Sequence, residues 1–183
     1  MGVKAAGGLV GRSRRVACTF MEVSDVLRAV PVLVVLAATA ALGGTPVANA
    51  DNKRLNDGVV ANVYTVQHHA GCTTDIKINP QLRLAAQWHA NDVLNNRGLD
   101  GDIGSDGSTV QDRANAAGFK GVATETVAIN PALAINGVDV MNQWYYRPDY
   151  MAIMSNCANS QIGVWSENSL DRSVVVAVYG QPA

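Results

Sequence analysis

Residues able to do acid–base, nucleophilic or metal chemistry are few in this chain, and they gather around one helix and the loop that follows it. The histidines are His68, His69 and His89. His68 and His69 are neighbours in a segment with helical spacing, so their side chains diverge by about 100° and cannot easily share a metal. Both read as surface positions. His89 falls on the inward stripe of the next helix and reads as a satisfied, semi-buried histidine. The loop at residues 99–108 then supplies Asp100, Asp102, Asp106, Ser105 and Ser108. Oxygen ligands in a turn suit calcium, but the ligand pattern breaks at Gly104, Ser105 and Gln111. The aspartates therefore read as turn formers. A serine hydrolase needs its nucleophile within hydrogen-bond reach of an imidazole, and neither serine has a Gly-x-Ser-x-Gly context. Both serines read as turn and cap residues.

The elements that must position these groups have local signatures. Val59, Val60, Val63, Tyr64 and Val66 recur at steps of three and four and predict a helix over residues 56–70, which Gly71 can end. Asn79-Pro80 is an N-cap followed by proline, opening a second helix to Arg97 with Leu82, Ala85, Ala86, His89, Val93 and Leu94 inward. Ser108 with Gln111 fits a capping box for a short helix ended by Gly118. Residues 122–129 are a strand or an extended crossing. Asn130-Pro131 repeats the helix-start signal, and Gly137 places the main helix at about residues 136–146, with Val138, Met141, Trp144 and Tyr145 inward. A short helix leads to Cys157. Residues 161–166 and 173–180 form a terminal hairpin. Helices followed by a hairpin predict an α+β fold.

Composition gives an address. Residues 29–42 are apolar but shorter than the roughly 20 residues a spanning helix needs. Arg12, Arg14, Arg15 and Arg28 precede them, and Ala48-Asn49-Ala50 follows. This reads as a secretory signal over residues 1–50, cleaved before Asp51, with an uncleaved anchor as the alternative. The long basic region is explained by a true start at Met21, which fits better than a twin-arginine signal at Arg14-Arg15. Residues 51–183 then form one domain, with nine basic against thirteen acidic residues and a net charge of −4. That balance argues against nucleic acid or an anionic lipid surface as partner. Cys72 and Cys157 remain, and an even count in an exported chain predicts a disulfide.

The order of parts resembles the CAP superfamily, shared by cysteine-rich secretory proteins, antigen 5 and plant pathogenesis-related 1 proteins, in the short form of bacterial exported proteins. The resemblance rests on NPQLRLAAQWHANDVL, GSDGSTVQDRANAAGF, TETVAINPALA, NQWYYRPDYMAIM and QIGV. SDGSTVQDRANAAGF is the most specific of these. The resemblance implies an α–β–α sandwich, a central antiparallel sheet between helical layers. It also implies a cleft in which two histidines and acidic residues hold a divalent metal. Here Asp102 and Tyr150 stand where those histidines are expected, while the acidic residue persists as Glu125. No metal and no other cofactor is therefore expected, and no catalytic residue is assigned.

Two surfaces are left as candidates. A residual cleft of Asp102, Glu125 and Tyr150 could do acid–base work on a glycan, which makes an altered hydrolase of envelope glycan or peptide the alternative function. The aromatic and apolar set Trp144, Tyr145, Tyr146, Met151 and Met154 is either core or a groove. The resemblance supports a groove, because some members bind sterols or fatty acids. The leading expectation is a non-enzymatic exported domain, secreted or held at the cell envelope, that binds a lipid or other small apolar ligand, an envelope component or a host protein. Oligomeric state is not legible.

Overall fold

The computed structural model describes residues 47–183, with side chains from Asn52 onward. The segment read as a signal lies outside the described residues except at its last four positions, where the first helix already begins. Among the described residues no helix is long and apolar enough to cross a membrane.

In chain order the elements are α1 (Val47–His69), β1 (Lys77–Ile78), α2 (Pro80–Asn95), α3 (Val110–Ala116), β2 (Gly121–Asn130), α4 (Gly137–Tyr145), α5 (Pro148–Met154), β3 (Gln161–Ser169) and β4 (Arg172–Pro182). The strands form one sheet in the order β1-β3-β4-β2. β2, β4 and β3 are antiparallel, as expected, while the short edge strand β1 runs parallel to β3. It gives way at once to α2: Asn79, whose amide still donates to the carbonyl of Ile162, caps that helix, its side chain accepting from the amides of Gln81 and Leu82.

Helices cover both faces. β4 is the central strand, and its run SVVVAVYG is buried on both sides, as a strand between two layers must be. On one face Val174, Val176 and Val178 meet Leu82, Ala85, Ala86, Ala90 and Val93 of α2, with Ala114 and Phe119 beyond. On the other, Val175, Ala177 and Tyr179 meet Val59 and Val63 of α1, Val140 and Trp144 of α4, and Tyr150 and Met154 of α5. The fold is α+β, a sheet between two helical layers. Gly163 on β3 lets α2 approach: a Cβ there would collide with backbone atoms of Leu82 and Arg83. The Cys72–Cys157 disulfide ties the end of α1 to the segment after α5.

Three local expectations are corrected. The capping box of α3 is Thr109 with Asp112, one residue on from Ser108–Gln111. Gln111 is used elsewhere, clamping β2 through the carbonyl of Gly121 and the amide of Ala123. Asn130-Pro131 opens no helix: Asn130 ends β2 and its side chain donates to the carbonyl of Ala134, so Asn136 becomes the N-cap of α4. That start points Val140 and Trp144 inward, and leaves Val138 69% and Tyr145 53% exposed.

Candidate functional site

The acidic position singled out in sequence sits inside a sealed polar cluster. Glu125 lies between Ala123 and Val127 on β2, both in the α2/α3 core, so its side chain points into that layer. It is fully buried there. Arg113, reaching in from the last turn of the short helix α3, donates from Nη2 to Glu125 Oε1 at 2.5 Å and to the carbonyl of Asp102 at 2.8 Å. Its Nη1 donates to the carbonyl of Ser108. One guanidinium thus holds β2 and two points of the glycine-rich loop, Asp102 and Ser108.

His89 closes the cluster from α2. It is fully buried, more so than the sequence suggests, because the small side chains of Ala85, Ala86 and Ala90 let α2 settle onto the sheet. Its Nε2 lies 2.9 Å from the carbonyl of Gly101, which makes it the donor there, and 3.6 Å from Glu125 Oε1. Burial lowers the His89 pKa, with the Arg113 charge adding to the effect and the Gly101 bond opposing it, so the ring is neutral at pH 7. Burial also pushes Glu125 up to about 8 against the opposing charge of Arg113, and Asp102 adds to the rise. Glu125 Oε2 and His89 Nδ1 are buried without hydrogen-bond partners.

The cleft expected from Asp102, Glu125 and Tyr150 is divided between different environments. Asp102 has an exposed side chain and gives its backbone carbonyl to Arg113. Tyr150 packs in the core on the other side of the sheet, under the guanidinium of Arg147 at 3.6 Å from its ring centroid. Its phenol pKa is raised, burial being the main cause. A divalent metal does not fit these residues: the Glu125 carboxylate already holds a guanidinium, and the imidazole nitrogen nearest it donates to a carbonyl. Among the described residues no group of three or more His, Cys, Asp or Glu side chains converges to hold an ion.

The hydroxyls of the loop are also engaged. Ser105 donates from Oγ and N to the Asp92 carboxylate. Burial would raise Asp92, but these bonds and one from Asn96 outweigh it and hold its pKa below the usual range. The Ser108 amide donates to Asp106 Oδ1, the turn expected of that aspartate.

A groove of about 600 Å³ opens on the other helical layer, between α1, α4 and α5. Its floor is Val66 of α1 and Ala70 just after it, Met141 and Tyr145 of α4, and Met151 of α5, with Asn62, Thr65 and His69 along the α1 side. Of the aromatic set named from sequence, Tyr145 and Met151 line the groove. Trp144 and Met154 are fully buried core beneath it, and Tyr146 stands 77% exposed beside it. His68 is turned away from the groove, stacked on Tyr64 and 3.5 Å from Asp75.

Sequence reasoning missed Arg113 as the organiser of the cluster and Met141 as a groove residue. A signal for Arg113 existed. Glu125 is the lone charge in a strand whose other residues from Val122 to Ile129 are Val, Ala, Thr and Ile, and a buried carboxylate requires a cation or a proton.

No family model and no curated protein matches this sequence. Solved structures do. An outer surface protein of Borrelia burgdorferi superposes with a TM-score of 0.62 at 17% identity, over 72% of this chain and 95% of that one. An extracellular protein of Bacillus anthracis containing an SCP domain gives 0.57 at 14%, over 73% of this chain and 41% of the other. A cysteine-rich secretory protein of Staphylococcus aureus gives 0.52 at 10%, over 69% and 38%. The chain spans under half the length of the last two. The fold is therefore CAP/SCP-like.

Proposed function

We propose that this protein is a non-enzymatic, exported CAP-like domain that binds a small apolar ligand in the groove between α1, α4 and α5. The observation that carries this reading is the groove itself. Its volume of about 600 Å³ lies within the range of ligand sites, and it is floored by two thioethers, a valine, an alanine and a tyrosine ring. Methionine adapts its shape to varied apolar partners, which suits a site for flexible chains. The polar side chains along α1 would orient a head group at one end.

The alternative, an altered hydrolase using Glu125, has less support. Glu125 is sealed, and its nearer oxygen is taken by Arg113. Export is supported by the apolar segment at residues 29–42, by the disulfide, and by similar structures described as extracellular or outer-surface proteins. Saturable loading of a fatty acid in the groove would favour a small apolar ligand over an envelope component or a host protein.

The reading is tested by titrating the purified protein with cis-parinaric acid, a fluorescent fatty acid. One saturable site is expected, with affinity falling at least tenfold in Met141→Arg while the thermal midpoint stays within a few degrees. Saturable binding that Met141→Arg leaves unchanged, or none at all, removes the groove from the account.

A further inference from the structure

We infer that the exposed side of α4 is a membrane-docking surface that sets the mouth of the groove against a neutral lipid bilayer; this rests on the groove reading above. Val138, Met141 and Tyr145 fall within about 60° of one another around α4, on a side centred about 110° round the helix from the buried pair Val140 and Trp144. Val138 is 69% exposed, Tyr145 53% and Tyr146 77%. The rings of Tyr145 and Tyr146 meet edge to face at 5.4 Å, so the two form one aromatic unit at the end of the helix.

What covers this side follows from what it adjoins. Met141 and Tyr145 belong both to the stripe and to the lining of the groove, so the apolar surface runs without a break from outside to inside. A long-chain ligand is scarcely present as a free solute, because each buried methylene costs about 0.8 kcal/mol to expose to water. Its source is a lipid phase, and a groove whose apolar rim touches that phase can load without passing the ligand through water. Tyrosines suit such a rim, since the ring enters the lipid boundary while the hydroxyl stays wet.

Charge selects the kind of bilayer. The ion pair beside the stripe, Arg147 with Asp149 at 2.6 Å, is internally neutral. Residues 51–183 carry −4 in all, which disfavours an anionic surface. The surface therefore fits zwitterionic lipid held by apolar insertion, and its binding should resist salt.

Sedimentation of the purified protein with phosphatidylcholine vesicles tests this, in parallel with the cis-parinaric acid titration in solution. The variant is Val138→Ser with Tyr146→Ser, two exposed residues outside the groove lining. Vesicle binding is expected to fall at least fivefold in the variant while the solution affinity stays within twofold. Raising the salt tenfold should leave wild-type sedimentation within twofold. Probe binding by a protein that does not sediment, or equal sedimentation of wild type and variant, overturns the docking surface and leaves the groove standing. Variant-sensitive sedimentation without probe binding supports the surface and overturns the groove.

Discussion

Replacing Arg113 with methionine keeps most of the side chain's apolar stem and removes the one cation facing Glu125. The guanidinium also satisfies the carbonyls of Asp102 and Ser108. Leaving those two acceptors short of a partner costs about 1 kcal/mol each. A second effect depends on pH. Glu125 in the fold is raised from 4.5 to about 8, so its protonated form is the one the fold prefers, and removing Arg113 strengthens that preference. A raised acid helps stability fully below its unfolded pKa, and that help is lost as pH rises through the folded value. At pH 3.5, below the unfolded value of 4.5, the carboxyl is mostly protonated in both states, and the variant should lose only about 2 kcal/mol, for the two carbonyls. At pH 9, one unit above the wild-type value, the variant keeps its proton and forgoes about a further 1.4 kcal/mol, which brings the loss to about 3–3.5 kcal/mol. Urea unfolding followed by circular dichroism at the two pH values measures both numbers. Glu125→Gln added to Arg113→Met should abolish the difference between them. The reasoning is refuted if the loss is the same at both pH values and the second substitution changes nothing.

Three further outcomes follow from other parts of the molecule. Cys72→Ser with Cys157→Ser frees an 85-residue loop and should lower stability by about 2–4 kcal/mol, read as a shift in the urea midpoint. Gly163→Ala places a methyl against the backbone of α2 at Leu82 and Arg83, so a loss of about 3 kcal/mol or more, or failure to accumulate folded protein, is expected on thermal melting. Zinc titration by calorimetry should show no stoichiometric micromolar site; one that disappears in Asp102→Ala or Glu125→Gln would contradict the reading of the cluster.

How far the sequence was legible depended on whether a signal was local. Asn79-Pro80 announces α2 because the cap and the proline act within one turn, and the valine run of β4 announces a strand buried on both faces. The bridge between Cys72 and Cys157 followed from the export reading, which sets Cys18 apart and leaves two cysteines. Adjacent residues with the same capacity were harder to separate: Ser108 and Thr109 can each cap α3, and only packing against β2 assigns Gln111 to the strand rather than to the box. Asn130-Pro131 has the residues of a helix start, but Asn130 is held at the end of β2. The polar cluster was least visible, because His89, Arg113 and Glu125 come from three elements whose convergence depends on how α2 and α3 sit on the sheet. The groove depended likewise on which face of α4 turned inward, a choice its starting residue made.

Native mass spectrometry of the protein isolated from its own source would show whether the groove between α1, α4 and α5 holds an apolar ligand. A stoichiometric lipid adduct is expected, retained in gentle conditions and absent from Met141→Arg prepared in the same way. Repeated isolation of bare protein, or an adduct that persists unchanged in Met141→Arg, would contradict that expectation.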